Sequence, residues 1–141
     1  MPDTLQLQIV TPDKRLVDEA VEQVQMPGRN GYLGILPQHA PLLTELGPGE
    51  ISYMQAGKTS YLAVAWGFAE VLPDKVTILA DAAERPEEIN VQRAQEAKAR
   101  AEEALRKQDP ELDYEATIRA LRRAEVRLDV AGRAGHTAAT P

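Results

Sequence analysis

The chain has 141 residues, 43% of them hydrophobic, and a formal net charge of −6. That length suits one compact domain, or a small domain with an appendage, and the acidic balance argues against a general nucleic-acid binder. The absence of cysteine excludes disulfides and thiolate chemistry. No apolar run approaches the roughly 20 residues that span a bilayer. Met1-Pro2-Asp3-Thr4 lacks the basic-then-apolar grammar of a signal peptide or an organelle transit peptide.

The first half reads as short strands. Leu5, Leu7 and Ile9 alternate with Gln6, Gln8 and Val10, the pattern of a half-buried strand. Thr11-Pro12-Asp13 is a turn. Ala20, Val24 and Met26 fall on one side of a second extended run that ends at Pro27-Gly28. Residues 31–42 interrupt an apolar run with glycines, prolines and His39, so they read as a shaped, partly exposed excursion between strands. A tight turn with a bulge is the plainer alternative. Gly47-Pro48-Gly49 turns into a strand over 51–54, and Gln55-Ala56-Gly57-Lys58 is a hairpin connection. Strands over 58–64 and 66–72 follow, split near Ala65, and Pro73-Asp74-Lys75 turns into a strand over 76–80. Many short strands at regular spacing predict an antiparallel β-sandwich or flattened barrel.

The composition changes near Arg85-Pro86. Residues 86–131 contain no glycine and are rich in Ala, Glu and Arg. Pro86-Glu87-Glu88 is a helix start, with proline in the first turn and acids at the positive dipole end. The first helix is expected to run to about Gln108, stopped by Asp109-Pro110. The second is expected from Asp113 or Tyr114 to Ala131, with Gly132 as the stop. The short connection makes them antiparallel neighbours. Ala94, Ala97, Ala101 and Ala104 or Leu105 would face Ile118, Leu121, Ala124, Leu128 and Ala131. A seam made mostly of alanine buries little apolar area, at about 0.8 kcal/mol per CH₂, so the hairpin is expected to be marginal on its own. The organisation is thus α+β: a β-sandwich over 1–85, a helical hairpin over 86–132 and a disordered tail over 133–141.

Catalytic and metal chemistry lack their parts. His39 and His136 are far apart, with no ligand spacing between them. There is no nucleophile elbow, no partner base and no phosphate-cradling loop. The basic row Arg119, Arg122, Arg123 and Arg127 is more informative. Arg119, Arg123 and Arg127 follow at i,i+4, where like charges repel. One reading is a solvated face balanced by Glu96, Glu102 and Glu103 across the hairpin. The other is an anion-seeking surface for nucleotide phosphates or an acidic segment of a partner.

The order of residues in Gly31-Tyr32-Leu33-Gly34-Ile35-Leu36-Pro37-Gln38-His39-Ala40-Pro41-Leu42 resembles the signature of the epsilon subunit of F-type ATP synthases. Gly67-Phe68-Ala69-Glu70-Val71, Pro73-Asp74-Lys75-Val76-Thr77-Ile78-Leu79-Ala80 and Ala83-Glu84-Arg85 support it. The resemblance runs from about Leu5 to Ala131. It implies a two-sheet sandwich that docks on the gamma subunit and the c-subunit ring, coupling rotation to proton or sodium flow. It implies a hairpin that regulates: compact, it leaves the catalytic head free; extended, it reaches acidic segments of the alpha and beta subunits and blocks ATP hydrolysis. Arg119, Arg122, Arg123 and Arg127 would make that inhibitory contact, and Tyr32 and His39 would touch the ring. No catalysis, metal or required cofactor is implied. ATP enters as a regulatory ligand, because Ile89-Asn90-Val91-Gln92-Arg93-Ala94 resembles a nucleotide motif found in several bacterial relatives, with Asn90 in place of aspartate. Glu84, Arg123 and Arg127 match further positions used there. Asn90 keeps a carbonyl acceptor but has lost the charge, so binding is expected to be weak. The setting implied is the cytoplasmic face of a bacterial plasma membrane, peripheral to it. A free-standing sandwich adaptor with a helical docking arm is the alternative.

Overall fold

The computed structural model describes residues 3–134. Eight strands come first: β1 (Leu5–Val10), β2 (Arg15–Val21), β3 (Gln23–Gly28), β4 (Gly31–Ile35), β5 (Leu42–Leu46), β6 (Gly49–Gln55), β7 (Lys58–Leu72) and β8 (Lys75–Glu84). A 3₁₀ turn over Pro86–Glu88 leads to α1 (Val91–Lys107) and α2 (Tyr114–Ala131). The sheet runs β2-β1-β8-β7-β5-β3-β4, and β6 pairs with both β3 and β7, which folds the sheet back on itself. The expected antiparallel sandwich is present, with one exception: β1 pairs with β8 in parallel.

The core follows from alternation. Leu5, Leu7 and Ile9 on β1 are buried, and Val76, Ile78 and Ala80 on β8 meet them inside with Val24, Met26, Ile51, Leu62 and Val71. Parity counting failed at one place. Ala20 is exposed, while Val17 and Val21 are buried. The extended run breaks at Glu22 into β2 and β3, and a face assigned across a break does not carry over. The split expected near Ala65 is a change of partner within one strand. β7 pairs with β6 through Val64 and with β5 from Gly67 onward. The kink between them puts Trp66 at φ +57° and Gly67 at φ +149°. A Cβ on Gly67 would lie 2.2 Å from the Leu79 carbonyl oxygen, so this crossing demands glycine.

The helix start also differs. Pro86-Glu87-Glu88 forms the 3₁₀ turn, and α1 begins only at Val91. Asn90 is its N-cap, with the side-chain oxygen accepting from the Arg93 N–H at 3.0 Å. Asp113 caps α2 the same way through the Ala116 N–H. Ala94, Ala101 and Ala124 are buried in the alanine seam. α2 is the helix that packs on β6, β7 and the 3₁₀ turn, whereas α1 packs on α2. The hairpin therefore sits on the sandwich through its second helix. A small second core of Ala63, Ile89 and Val130, with Val126 and Ala131 against it, closes that joint.

Candidate functional site at the hairpin joint

The basic row of α2 faces the strands. The Arg127 guanidinium donates to both Glu84 carboxylate oxygens, at 2.7 and 3.1 Å. This fork is mostly withdrawn from water, the Arg127 and Glu84 side chains being 19% and 28% exposed. Arg119 lies over the Trp66 ring at 3.8 Å from its centroid. Arg123 lines the same crevice as Glu84, Arg127, Ala63, Ala65 and Val126. Arg122 lines a cleft of about 410 Å³ beside Trp66, Tyr32, Pro48 and the 28–31 turn.

At the first residue past the expected end of the hairpin, the Arg133 guanidinium donates to both oxygens of Glu50, at 3.0 and 3.4 Å. It also lies over the Tyr61 ring at 4.6 Å. The hydrogen bonds and charge of Glu50 raise the pKa of this guanidinium further above its ordinary value. Arg133 was expected to open a disordered tail; it is instead anchored, and 135–141 lie outside the described residues. The reading in which Glu96, Glu102 and Glu103 pair with the arginine row across the hairpin finds no ion pair among the described residues. Glu103 pairs with Arg106 on its own helix, and the ion pairs of α2 and its end run to the sandwich. The reason is geometric: the face of α2 that carries Arg119 and Arg127 turns toward β7 and away from α1.

Of the residues matched to the nucleotide motif, Glu84, Arg123 and Arg127 converge on one crevice, but its volume is only about 10 Å³. Ile89 is buried in the second core, Ala94 is buried in the seam, and Arg93 is exposed. The Asn90 carbonyl oxygen is already engaged as the α1 cap. Tyr32 and His39 are not brought together. Tyr32 stands on β4 opposite Pro27, 61% exposed as a residue, with its hydroxyl accepting from the Glu50 N–H at 2.8 Å. His39 lies in the following loop, where the Gln38 N–H donates to the Pro73 carbonyl. By register, Gly28, Leu46 and Gly67 share one row, while Leu42, Val71 and Val76 share another next to the Pro73 turn. Tyr32 belongs near the first row and His39 near the second.

Sequence reasoning passed over Trp66, Glu50, Tyr61 and Arg133. The chain has a single tryptophan, placed before a glycine inside a strand pattern. That was the available signal for Trp66. Nothing local marks the other three, because each acts through a partner distant in sequence.

An outer face is also unpartnered. Phe68 pairs with Leu79 on β8 and Glu45 on β5, and Leu43 lies diagonally across from it. Phe68, Leu79 and Leu43 are 52%, 57% and 72% exposed. Among the described residues, no helix is long and apolar enough to cross a membrane.

The comparisons with known proteins cover both halves. The family model for the ATP synthase delta/epsilon chain β-sandwich domain matches residues 4–86, and the model for the long alpha-helix domain matches 87–132. The chain is 69% identical over 111 residues to an ATP synthase epsilon chain of Koribacter versatilis, covering 79% of this chain and 78% of that one. It is 47% identical to the ATP synthase epsilon chain of Solibacter usitatus, covering 93% and 98%. Among solved structures, a chain of the Euglena gracilis mitochondrial ATP synthase OSCP/F1/c-ring assembly matches at TM-score 0.79 and 26% identity, covering 93% of this chain and 82% of that one. A chain of the Tetrahymena thermophila mitochondrial central stalk and c-ring structure shares the fold at TM-score 0.59 and 13% identity, covering 92% and 95%. Family membership sets the free-standing adaptor aside. A sandwich with a docked two-helix arm, matched along both parts by one family, places this chain among the ATP synthase epsilon chains, as a non-catalytic subunit of that complex.

Proposed function

We propose that this chain works in the central rotor stalk of a proton-translocating F-type synthase, where its sandwich couples rotation to ion flow and its hairpin restrains ATP hydrolysis. The observation that carries the regulatory part is the one-sided attachment of the hairpin. Among the described residues α2, and not α1, packs broadly on the strands, through a small apolar core and arginine contacts. Such a joint can open without disturbing the main core. Once free, the arginines of α2 would present guanidinium forks to acidic segments of the alpha and beta subunits. A helix of about 20 residues reaches roughly 30 Å, which is long on the scale of the stalk.

The apolar face of Leu43, Phe68 and Leu79 supports docking of the gamma subunit, since large exposed apolar residues in contact with one another mark interaction surfaces. Tyr32 and His39 are proposed to meet the c-subunit ring, separately and by packing, because the Tyr32 hydroxyl already serves Glu50. The setting proposed is the cytoplasmic face of a bacterial plasma membrane, with attachment through the complex. Assembling the synthase with a chain truncated after Arg85 tests the regulatory reading. The rotor should still assemble, and ATP hydrolysis should rise several-fold. Unchanged hydrolysis would overturn it.

ATP is proposed as a weak regulatory ligand of the joint, bound without hydrolysis. Glu84, Arg123 and Arg127 share a crevice that a nucleotide would have to widen. Calorimetric titration into the isolated chain should give weak, saturable binding that Arg93→Ala removes and Asn90→Asp strengthens. No heat at millimolar ATP with either the native chain or Asn90→Asp would end this reading.

A further inference from the structure

The main arginine of the docked hairpin is already engaged, and this shapes how the switch can work. Arg127 is satisfied by both oxygens of Glu84, and the crevice around them is filled to about 10 Å³. Arg133 is satisfied in the same forked manner by Glu50. Arg119 lies over the Trp66 ring. These anchors are spread along the length of α2 and just past its end, and their partners lie on β6, β7 and β8.

From this we infer that Glu84 and Glu50 are internal surrogates for an acidic partner. The docked state holds the basic face of α2 in cis, and release exchanges these two carboxylates for carboxylates in trans. The inference rests on the reading that released α2 seeks acidic segments, and it supplies the competitor for that contact.

The chemistry favours exchange over simple opening. Simple opening returns Arg127 and Arg133 to water without their carboxylate forks, whereas a partner carboxylate restores them. Replacing one carboxylate fork by another keeps the number of charge-assisted hydrogen bonds constant. The two states then differ by little, and a modest differential affinity moves the balance. The apolar part of the joint, Ala63, Ile89, Val126 and Val130, favours the docked state in addition, so the partner's carboxylates must offset that burial as well. Sequence placement fits as well. Glu84 ends β8 just before the linker, and Glu50 follows the buried Gly49 whose neighbours Pro27 and Tyr32 fix the start of β6. Both carboxylates are thus mounted on rigid strands, while their partners ride on the helix that moves.

The test uses the full isolated chain and a synthetic peptide of six glutamates. The single tryptophan, Trp66, lies under Arg119, so its fluorescence reports whether α2 is docked. In Glu84→Gln/Glu50→Gln the emission should shift toward that of an exposed indole, and the hexaglutamate peptide should bind about tenfold tighter or more than to the native chain. Raising salt should erase the difference. Equal affinity in both chains would overturn the inference. Glu50→Gln alone, at a surface pair whose loss leaves the main core intact, should give a smaller gain of the same sign; no gain there in a folded chain also overturns it. A hexalysine peptide should gain nothing, and a comparable gain would show nonspecific opening in place of carboxylate exchange. These readouts need no other subunit. They can therefore fail while truncation still raises hydrolysis in the complex, and the reverse.

Discussion

At the scale of single residues, two positions decide most. Gly67 lets β7 cross from β6 to β5 at φ +149°, with the Leu79 carbonyl where a Cβ would sit. Gly67→Ala should destabilise the sandwich by about 3 kcal/mol, seen as a lower urea midpoint with unchanged slope. Arg127 fastens the hairpin. Arg127→Ala should leave the sandwich core intact and weaken docking by about 1 to 2 kcal/mol, a figure discounted for partial exposure. Faster amide exchange confined to α2 would confirm it, and a global loss would contradict it. Sequence showed that Arg119, Arg123 and Arg127 share a helix face, because i,i+4 spacing is local. It could not show that this face turns toward Glu84 and Trp66, since those contacts join residues tens of positions apart. The sum of acids on α1 suggested the wrong partners for the same reason.

At the scale of elements, the joint depends on one small core and one short linker. Val130 is fully buried against Ala63 and Ile89. Val130→Ala should loosen α2 by about 2 kcal/mol, from lost methyl burial and the cavity left behind, with little effect on β1 or β8. The linker is pinned by Glu88, whose carboxylate accepts from the Arg85 N–H at 3.0 Å. That hydrogen bond, with help from Lys14, holds its pKa below the ordinary 4.5. A depressed carboxylate pKa stabilises the folded form at pH above the ordinary value and loses that contribution as pH falls through the folded one. Acidification below about pH 4.5 should therefore loosen the 3₁₀ turn, read by faster exchange of the Arg85 amide. Glu88→Gln should remove most of this pH dependence. Element types were legible in the sequence from period-two and helical patterning. The helix start was not, because Pro86-Glu87-Glu88 satisfies the first-turn rules of either helix type, and Asn90 is the residue whose side chain caps α1.

At the scale of the whole molecule, the order of residues around 31–42 carried the family, and the strand pattern carried the sandwich. The arrangement of the two parts was not legible. An alanine-rich hairpin could stand free or lie against the strands, and the sequence left both open. Long-range pairs decide it: Arg127 with Glu84, and Arg133 with Glu50. At this scale the outer face also makes a prediction. Phe68→Glu/Leu79→Glu should weaken binding of the gamma subunit by about 30-fold or more, the equivalent of roughly 2 kcal/mol, while the isolated chain stays folded because both side chains are exposed. Native-like binding by this variant would move the rotor interface elsewhere. In the regulation proposed above, a hairpin held on the sandwich leaves hydrolysis free and a released one restrains it. The chain has no cysteine of its own, so Glu50→Cys/Arg133→Cys can be bridged with a short, reducible bis-maleimide and assembled into the synthase. ATP hydrolysis should be rapid while the bridge is intact and inhibited again once it is cleaved; equal rates in both states, or slower hydrolysis in the bridged complex, would overturn this regulation.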